Sequence, residues 1–157
     1  TDPAGEPRPF ILPSFMFGDP NHANAEEATE AWINLFDDAH RGALYRYEEG
    51  GPMEAGTVMF TDFTLRGIWM TARDSGASQD LTFTPGVSMI VSCRDQEEID
   101  HYWAGLSAVP EAEHCGWCVD RWGVSWQVLP HNIAELMADA ATREKLLHMG
   151  KINLADL

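Results

Sequence analysis

The sequence predicts an α+β fold built from two related strand–helix–strand modules, with a mixed sheet covered on one face by helices. Two helical patterns carry the same residue types at the same offsets, each follows a short apolar run, and short strands separated by turns come after each helix. Strands and helices do not alternate strictly, as they would in a parallel α/β sheet. We expect a flexible leader over 1–9, which holds three prolines, and a single domain over 10–157. Module one spans about 10–82 and module two about 86–157.

Size and charge limit the function classes. A chain of 157 residues buries roughly 68–70% of its unfolded surface, and an apolar fraction of 45% indicates a packed core. Twenty-five acidic residues against ten basic ones give a net charge of -15, which would repel nucleic acid and anionic membrane surfaces. No apolar run approaches about 20 residues and three cysteines fit a reducing compartment, so we expect a cytoplasmic protein with neither nucleic-acid nor membrane partners.

The two helical patterns predict an internal duplication. They span 24–36 and 95–107, each with an apolar stripe and an acidic first turn, and Asn24 and Asp95 are the predicted N-caps. An acidic first turn alone would fit any capped helix. Two Trp and two Leu at the same phase favour duplication. The matching sets are Asn24, Glu26, Glu27, Trp32 and Leu35, and Asp95, Glu97, Glu98, Trp103 and Leu106.

Strand patterns surround both helices. Predicted strands cover 10–17, 43–48, 57–65 and 68–73 in module one, and 87–93, 113–119 and 124–129 in module two. A turn over 120–123 ends in Gly123, where a positive φ is often wanted. An uninterrupted helix over 132–149, ended by Gly150, is expected to close the chain.

Several of these segments resemble one known family. The runs 87–98 and 120–127, together with Tyr102-Trp103 and Cys115-Gly116-Trp117, resemble the PhnB-like, 3-demethylubiquinone-9 3-methyltransferase-like branch of the vicinal-oxygen-chelate superfamily, which includes glyoxalases, bleomycin-resistance proteins and dioxygenases. The resemblance extends over 10–157. It implies paired βαβββ modules forming a cupped mixed sheet with helices on the outer face, a C-terminal helix, a small-molecule ligand in the cup and a homodimer.

The chain departs from the metal pattern that the resemblance implies. Many members hold a divalent metal through His, Gln or Glu on the first and last strands of each module. Here the usual Glu of the last strand is Gln127, Thr71 takes the matching place in module one, and the usual His is Ser88. The first strand offers Leu12 or Ser14. Amides and hydroxyls are weak ligands for transition metals, so we expect neither a metal nor a cofactor.

Strand alternation groups the candidate ligand-binding side chains. Ser125 and Gln127 share one face of their strand, and Ser88 and Ile90 share one face of theirs. Trp69 likewise shares a face with its polar neighbours Thr71 and Arg73. If these faces converge, they form an apolar pocket with a few neutral polar groups and one cation. Alternatively, the hydroxyls satisfy one another in a filled core. The candidate substrate-binding residues are Ser14, Trp69, Thr71, Arg73, Ser88, Ile90, Trp117, Ser125 and Gln127.

The Cys-x-x-Cys motif at Cys115 and Cys118 follows His114 and could form a redox pair or half of a zinc site. No second pair occurs in the sequence, and we expect a structural or incidental role. No His pair with metal spacing and no nucleophile elbow is present, so no catalytic residue is assigned.

Function is predicted only as a class. We expect a metal-independent small-molecule-binding protein that acts as an enzyme on, or a binder of, an aromatic or oxygenated metabolite. The alternatives are a drug-sequestering protein, a metal-dependent lyase of the glyoxalase or dioxygenase type, and a purely structural dimer module. Methyl transfer from S-adenosylmethionine is disfavoured because the sequence shows no Gly-rich loop after a strand.

Overall fold

The computed structural model describes residues 7–157, which form two compact units, one up to Thr82 and the other Phe83–Leu157. The two predicted modules each lie within one unit. The predicted leader lies outside the described residues as far as position 6. Of its remaining residues, Arg8 is half-buried and contacts Asp62.

The first unit is a four-stranded sheet with one helix. Its elements are β1 (Ser14–Phe17), α1 (Ala25–Leu35), β2 (His40–Arg46), β3 (Val58–Leu65) and β4 (Ile68–Asp74). The strand order is β1-β4-β3-β2, where β1 runs parallel to β4 and the other pairs are antiparallel. Phe15, Phe17 and Phe63 place their rings 5.1, 6.3 and 6.1 Å from Trp32 of α1. The helix therefore covers one face of the sheet, and alternate residues occupy the other.

The second unit repeats this arrangement with fewer strands. It contains β5 (Ser88–Cys93), α2 (Gln96–Leu106), a short 3₁₀ helix (Pro110–Ala112), β6 (Trp117–Val119) and β7 (Ser125–Pro130). The order β5-β7-β6, with β5 parallel to β7 and β6 antiparallel, matches β1-β4-β3. The duplication is thus confirmed in topology. Within the described residues the 3₁₀ helix stands where the first unit has β2.

One buried aspartate in each unit, Asp74 in the first and Asp120 in the second, holds the unit's last strand in place. Asp74 accepts from the N–H of Ala25 at 3.0 Å and from that of Val58 at 2.7 Å, which ties α1 and β3 to the end of β4. Asp120 accepts from the N–H of Trp122 and of Val124, and from the indole of Trp126 at 2.9 Å. Gly123 has φ +89°, as the turn pattern predicts.

The helix caps differ between the two modules. Asp95 accepts from the N–H of Glu98 at 3.0 Å, so the predicted cap of α2 is confirmed. Asn24 stands at the start of α1 but makes no side-chain cap, and its backbone (φ -102°, ψ 2°) is not the extended conformation that a capping residue adopts. The two tryptophans of the predicted apolar stripes also differ in burial. Trp32 is buried, whereas Trp103 is only half-buried.

Four element predictions require correction, and one of them is the strand predicted over 43–48, which lies at His40–Arg46. The first strand begins at Ser14 and not at residue 10, because Phe10 and Ile11 are exposed and outside the sheet. The segment 113–119 forms a strand only from Trp117 onward. The predicted terminal helix is two helices, α3 (Ile133–Ala138) and α4 (Ala140–Leu147). Asp139 separates them in an extended conformation, and its side chain caps α4 by accepting from the N–H of Thr142 at 2.8 Å.

The C-terminal segment builds a separate apolar cluster in the second unit. Leu129, Leu146 and Ile152 form its buried centre, and Cys115 packs against it. Gln96 of α2 donates to the carbonyl of Ile152 at 3.1 Å and accepts from the N–H of Leu154 at 2.8 Å. Among the residues described, none of the helices is both long and apolar enough to span a bilayer.

Candidate functional site

A row of three side chains crosses the sheet of the second unit. Gln127 of β7 pairs with Ile90 of β5 on one side and with Trp117 of β6 on the other. Directly paired residues point to the same face of a sheet. On β5 this face holds Ile90, which is 63% exposed, whereas the alternate residue Val91 is buried. The row therefore lies on the face opposite the buried side chains of the sheet, which we call the open face.

A hydroxyl pair lies next to this row. Ser88 and Ser125 are direct partners on β5 and β7, two residues before Ile90 and Gln127. Gln127 Nε2 donates to Ser88 Oγ at 2.8 Å. Ser125 is 1% exposed, and its Oγ has no hydrogen-bond partner among residues 7–157. An unsatisfied buried hydroxyl costs about 1–3 kcal/mol, so its presence beside an amide and a second hydroxyl marks the row as a candidate ligand site.

The first unit carries the equivalent row with different chemistry. Thr71 of β4 lies between Ser14 of β1 and Asp62 of β3. Trp69 lies two residues before Thr71 and pairs with Thr64, whose hydroxyl contacts His40 Nδ1 at 3.1 Å. By register, the hydroxyl of Thr71 corresponds to the amide of Gln127, and the carboxylate of Asp62 corresponds to the indole of Trp117.

Asp62 is a residue that the sequence analysis missed. Its side chain is completely buried, Oδ1 accepts from the N–H of Ala43 at 2.5 Å, and Oδ2 pairs with the guanidinium of Arg8. The signal was present in the sequence, because Asp is depleted in strand interiors and here interrupts the apolar segment 58–65.

The nine candidate residues fall into one group in each unit. Ser14, Thr71, Trp69 and Arg73 lie on the open face of the first sheet, where Arg73 pairs with Met16 and is exposed. The other five lie on the open face of the second sheet: Ser88, Ile90, Trp117, Ser125 and Gln127. Strand alternation thus predicts the grouping within each unit. Their assignment to ligand binding stays a prediction.

The side chains at the expected metal positions do not fit a transition metal. Gln127 could offer a metal only its neutral amide oxygen, and the side chains of its row neighbours Ile90 and Trp117 have no oxygen, imidazole or thiolate to offer. In the equivalent row of the first unit the one carboxylate, that of Asp62, is already paired with Arg8 and with the N–H of Ala43. Within residues 7–157, no three His, Cys, Asp or Glu side chains are placed to hold a metal together. Divalent metal sites of this class need imidazole or carboxylate ligands.

The cysteines lie in environments that suppress their reactivity. Burial raises the pKa of the Cys118 thiol to about 12, with a further contribution from the negative charges of Asp120 and Glu113. Burial also raises the pKa of Cys115, which is half-buried against the C-terminal cluster. All three cysteines are free thiols. A thiol with a raised pKa is a poor nucleophile and a poor metal ligand.

The fold and the comparisons together identify the class and the family. Two modules with the same parallel pairing of first and last strands, each with a helix after its first strand, define a protein of the vicinal-oxygen-chelate class. The chain belongs to the 3-demethylubiquinone-9 3-methyltransferase family, whose model matches residues 9–129, and to its PhnB-like branch. Membership supports a small-molecule-binding protein of this class.

Solved structures agree with this assignment. The chain is 35% identical to a putative 3-demethylubiquinone-9 3-methyltransferase, PhnB protein, from Bacillus cereus, with a TM-score of 0.66 over 76% of this chain and 97% of that one. Protein PA1353 from Pseudomonas aeruginosa is 18% identical with a TM-score of 0.55 over 77% of this chain and 95% of that one, which supports the fold alone. No curated protein matches the chain.

Proposed function

We propose that the chain is a metal-independent small-molecule protein whose ligand is an aromatic or oxygenated metabolite bound at the row Ile90–Gln127–Trp117. The observation that carries the proposal is the unpartnered, buried hydroxyl of Ser125 beside the Gln127–Ser88 hydrogen bond. Ligand sites are mostly apolar surfaces with a few placed polar groups, and this row has that composition.

The row predicts the chemistry of the ligand. Since Gln127 donates through Nε2 to Ser88, its carbonyl Oε1 is left to accept from a ligand hydroxyl or N–H. The half-buried indole of Trp117 offers a flat surface for an aromatic ring, and Ile90 offers an apolar edge. A hydroxylated aromatic molecule can make all three contacts, with its hydroxyl on Gln127, its ring on Trp117 and its edge on Ile90.

Metal independence follows in this proposal from the donor set. Gln127, Ser88, Thr71 and Ser14 stand where His and Glu would hold a metal, and their neutral oxygens bind transition metals weakly. We further propose that methyl transfer from S-adenosylmethionine is not the activity, despite the family description. The connection from β1 to α1 has a single glycine, Gly18, where a nucleotide-binding turn needs several.

The test is a thermal-shift panel of hydroxylated and oxidised aromatics, repeated on Gln127→Leu. We expect a hit to raise the melting temperature of wild type and of the control Gln79→Leu, whose side chain is exposed in the first unit. The shift should disappear in Gln127→Leu. A ligand that stabilises all three proteins equally would contradict the site, and stoichiometric Zn, Ni, Mn or Fe in elemental analysis would contradict metal independence.

A drug-sequestering function is a second candidate, favoured by the net charge of -15, which suits capture of a cationic drug. Mass spectrometry of the hit after incubation separates the two. Chemical change of the ligand supports an enzyme, and unchanged recovery supports capture.

A further inference from the structure

We propose that Asp62 is the recognition carboxylate of a second ligand site, specific for a planar cation such as an amidinium or guanidinium, and that Arg8 occupies this site as a plug from the same chain. The site lies on the open face of the first sheet. It is independent of the row proposed for the second unit.

The surroundings of Asp62 distinguish it from the other two fully buried aspartates. Asp74 and Asp120 are satisfied by backbone N–H groups and an indole, which come from the fold itself. Asp62 receives one backbone N–H, from Ala43, on Oδ1. Among residues 7–157, Oδ2 is paired only with Arg8, through Nε and Nη2 at 2.5 Å. A buried carboxylate is costly unless it is paired. The stabilisation of Oδ2 therefore depends on a cation from a segment outside the sheet.

The adjacent chain is shaped around the carboxylate. Gly42 lies so close that a Cβ there would clash with Asp62 Oδ1, and it would also approach the ring of Trp69 at 3.4 Å. Glycine at this position therefore makes room for the carboxylate of Asp62.

Aromatic side chains complete a site for a flat cation. The Arg8 guanidinium carbon lies 5.4 Å from the centre of the Phe60 ring, within the range of a cation–π contact. Phe60 precedes Asp62 by two residues on β3, so both point to the same face. A carboxylate flanked by an aromatic face suits a planar, delocalised cation better than it suits a compact ammonium ion.

Arg8 is placed to act as a removable occupant. It precedes β1 in a segment without regular secondary structure, and 29% of its side chain is exposed. A cation in solution can compete with a side chain attached through such a segment, because the attachment supplies only a finite effective concentration. Displacing Arg8 would leave the carboxylate paired and the sheet unchanged.

The experiment measures binding of benzamidine, a planar aromatic cation, by calorimetry and thermal shift, with neutral benzamide as the matched probe. We expect Arg8→Ala to bind benzamidine at least about tenfold more tightly than wild type, since the plug no longer competes. Benzamidine should raise the melting temperature of Arg8→Ala more than that of wild type, and benzamide should have no effect. Arg66→Gln, which changes an exposed arginine with one long contact to Asp37, should behave like wild type.

The double variant Arg8→Ala, Asp62→Asn removes both charges together, so it leaves no unpaired buried ion and is expected to fold, as circular dichroism will show. It should not bind benzamidine. The proposal is overturned if Arg8→Ala binds benzamidine no more tightly than wild type, if the double variant still binds it, or if neither wild type nor Arg8→Ala binds it. Since hydroxylated aromatics are tested on Gln127 of the other unit, failure here leaves that result unaffected.

Discussion

Ser88 and Ser125 are direct partners on β5 and β7, yet in the described part of the chain only Ser88 has a side-chain hydrogen bond. Gln127 reaches the more exposed of the two hydroxyls and leaves the more buried one unsatisfied. The alternative in which these hydroxyls satisfy one another in a filled core therefore does not hold for Ser125.

Removing the unsatisfied hydroxyl should cost little stability. We expect Ser125→Ala to leave the free energy of unfolding unchanged or to raise it by up to about 1–3 kcal/mol, because no hydrogen bond is lost and an unsatisfied buried hydroxyl is removed. Thr61→Val is the control, since Thr61 Oγ1 donates to the carbonyl of Ala43 at 2.8 Å and accepts from Arg41 at 3.0 Å. It should lose about 1–3 kcal/mol. Urea unfolding measures both, and an equal loss would mean that Ser125 has a partner in solution.

Thiol reactivity should follow burial. Burial raises the pKa of Cys93 and of Cys118 to about 12, so both thiols stay protonated at pH 8. We expect Ellman's reagent to modify at most the half-buried Cys115 in the folded protein, and slowly, because its pKa is also raised. All three should react in guanidinium chloride. Two fast thiols in the folded protein would instead support a redox pair at the Cys-x-x-Cys motif.

The stability that the Asp139 cap gives to α4 should depend on pH. Hydrogen bonds from Thr142 hold the pKa of Asp139 below its ordinary value of 3.8 in the folded chain. The carboxylate therefore stabilises the fold above pH 3.8, and this contribution is lost as the pH falls through the lowered pKa.

Two variants test this dependence. Asp139→Ala should unfold at lower urea than wild type at pH 7, and the difference should shrink below pH 3.8. Asp139→Ser keeps a capping oxygen without the charge, so it should lie between them at pH 7 and lose less on acidification. A difference between wild type and Asp139→Ala that does not change with pH would exclude the carboxylate as its cause.

Gly42→Ala should destabilise the first unit by about 1–3 kcal/mol, because the added Cβ overlaps the carboxylate of Asp62. Gly51→Ala is the matched control, since its Cβ would meet only the carbonyl of Glu48, at 3.6 Å. In an Asp62→Ala background the Gly42 substitution should cost less, which a double-mutant cycle measures. Additive costs would show that the glycine serves another neighbour.

The fold was largely predictable because its signals are local. Apolar periodicity located both helices to within about one residue, and the shared offsets of Trp32 with Trp103 revealed the duplication. Breaks inside apparently regular segments were harder to predict. Asp139 was assigned to a helix interior, where its extended backbone and its cap on Thr142 depend on the packing of α3 and α4.

The candidate sites were predictable only in part. Alternation correctly placed Ser88 with Ile90 on one face of β5, and Ser125 with Gln127 on one face of β7, because period two within a strand needs no tertiary information. Asp62 was missed because its importance depends on Arg8, which lies 54 residues away in the sequence and outside the sheet. The unpaired hydroxyl of Ser125 could not be predicted from the sequence either. It is unpaired because Gln127 donates to Ser88, and that choice depends on side-chain conformation.

The two rows occupy equivalent positions in a repeated framework, yet one is neutral and the other ionic. Because their side chains differ in charge, the two rows can bind different classes of ligand. Equilibrium dialysis of Arg8→Ala, in which the second site is open, with a phenol and an amidine together should then count one of each per polypeptide, and high salt should release the amidine while the phenol stays bound.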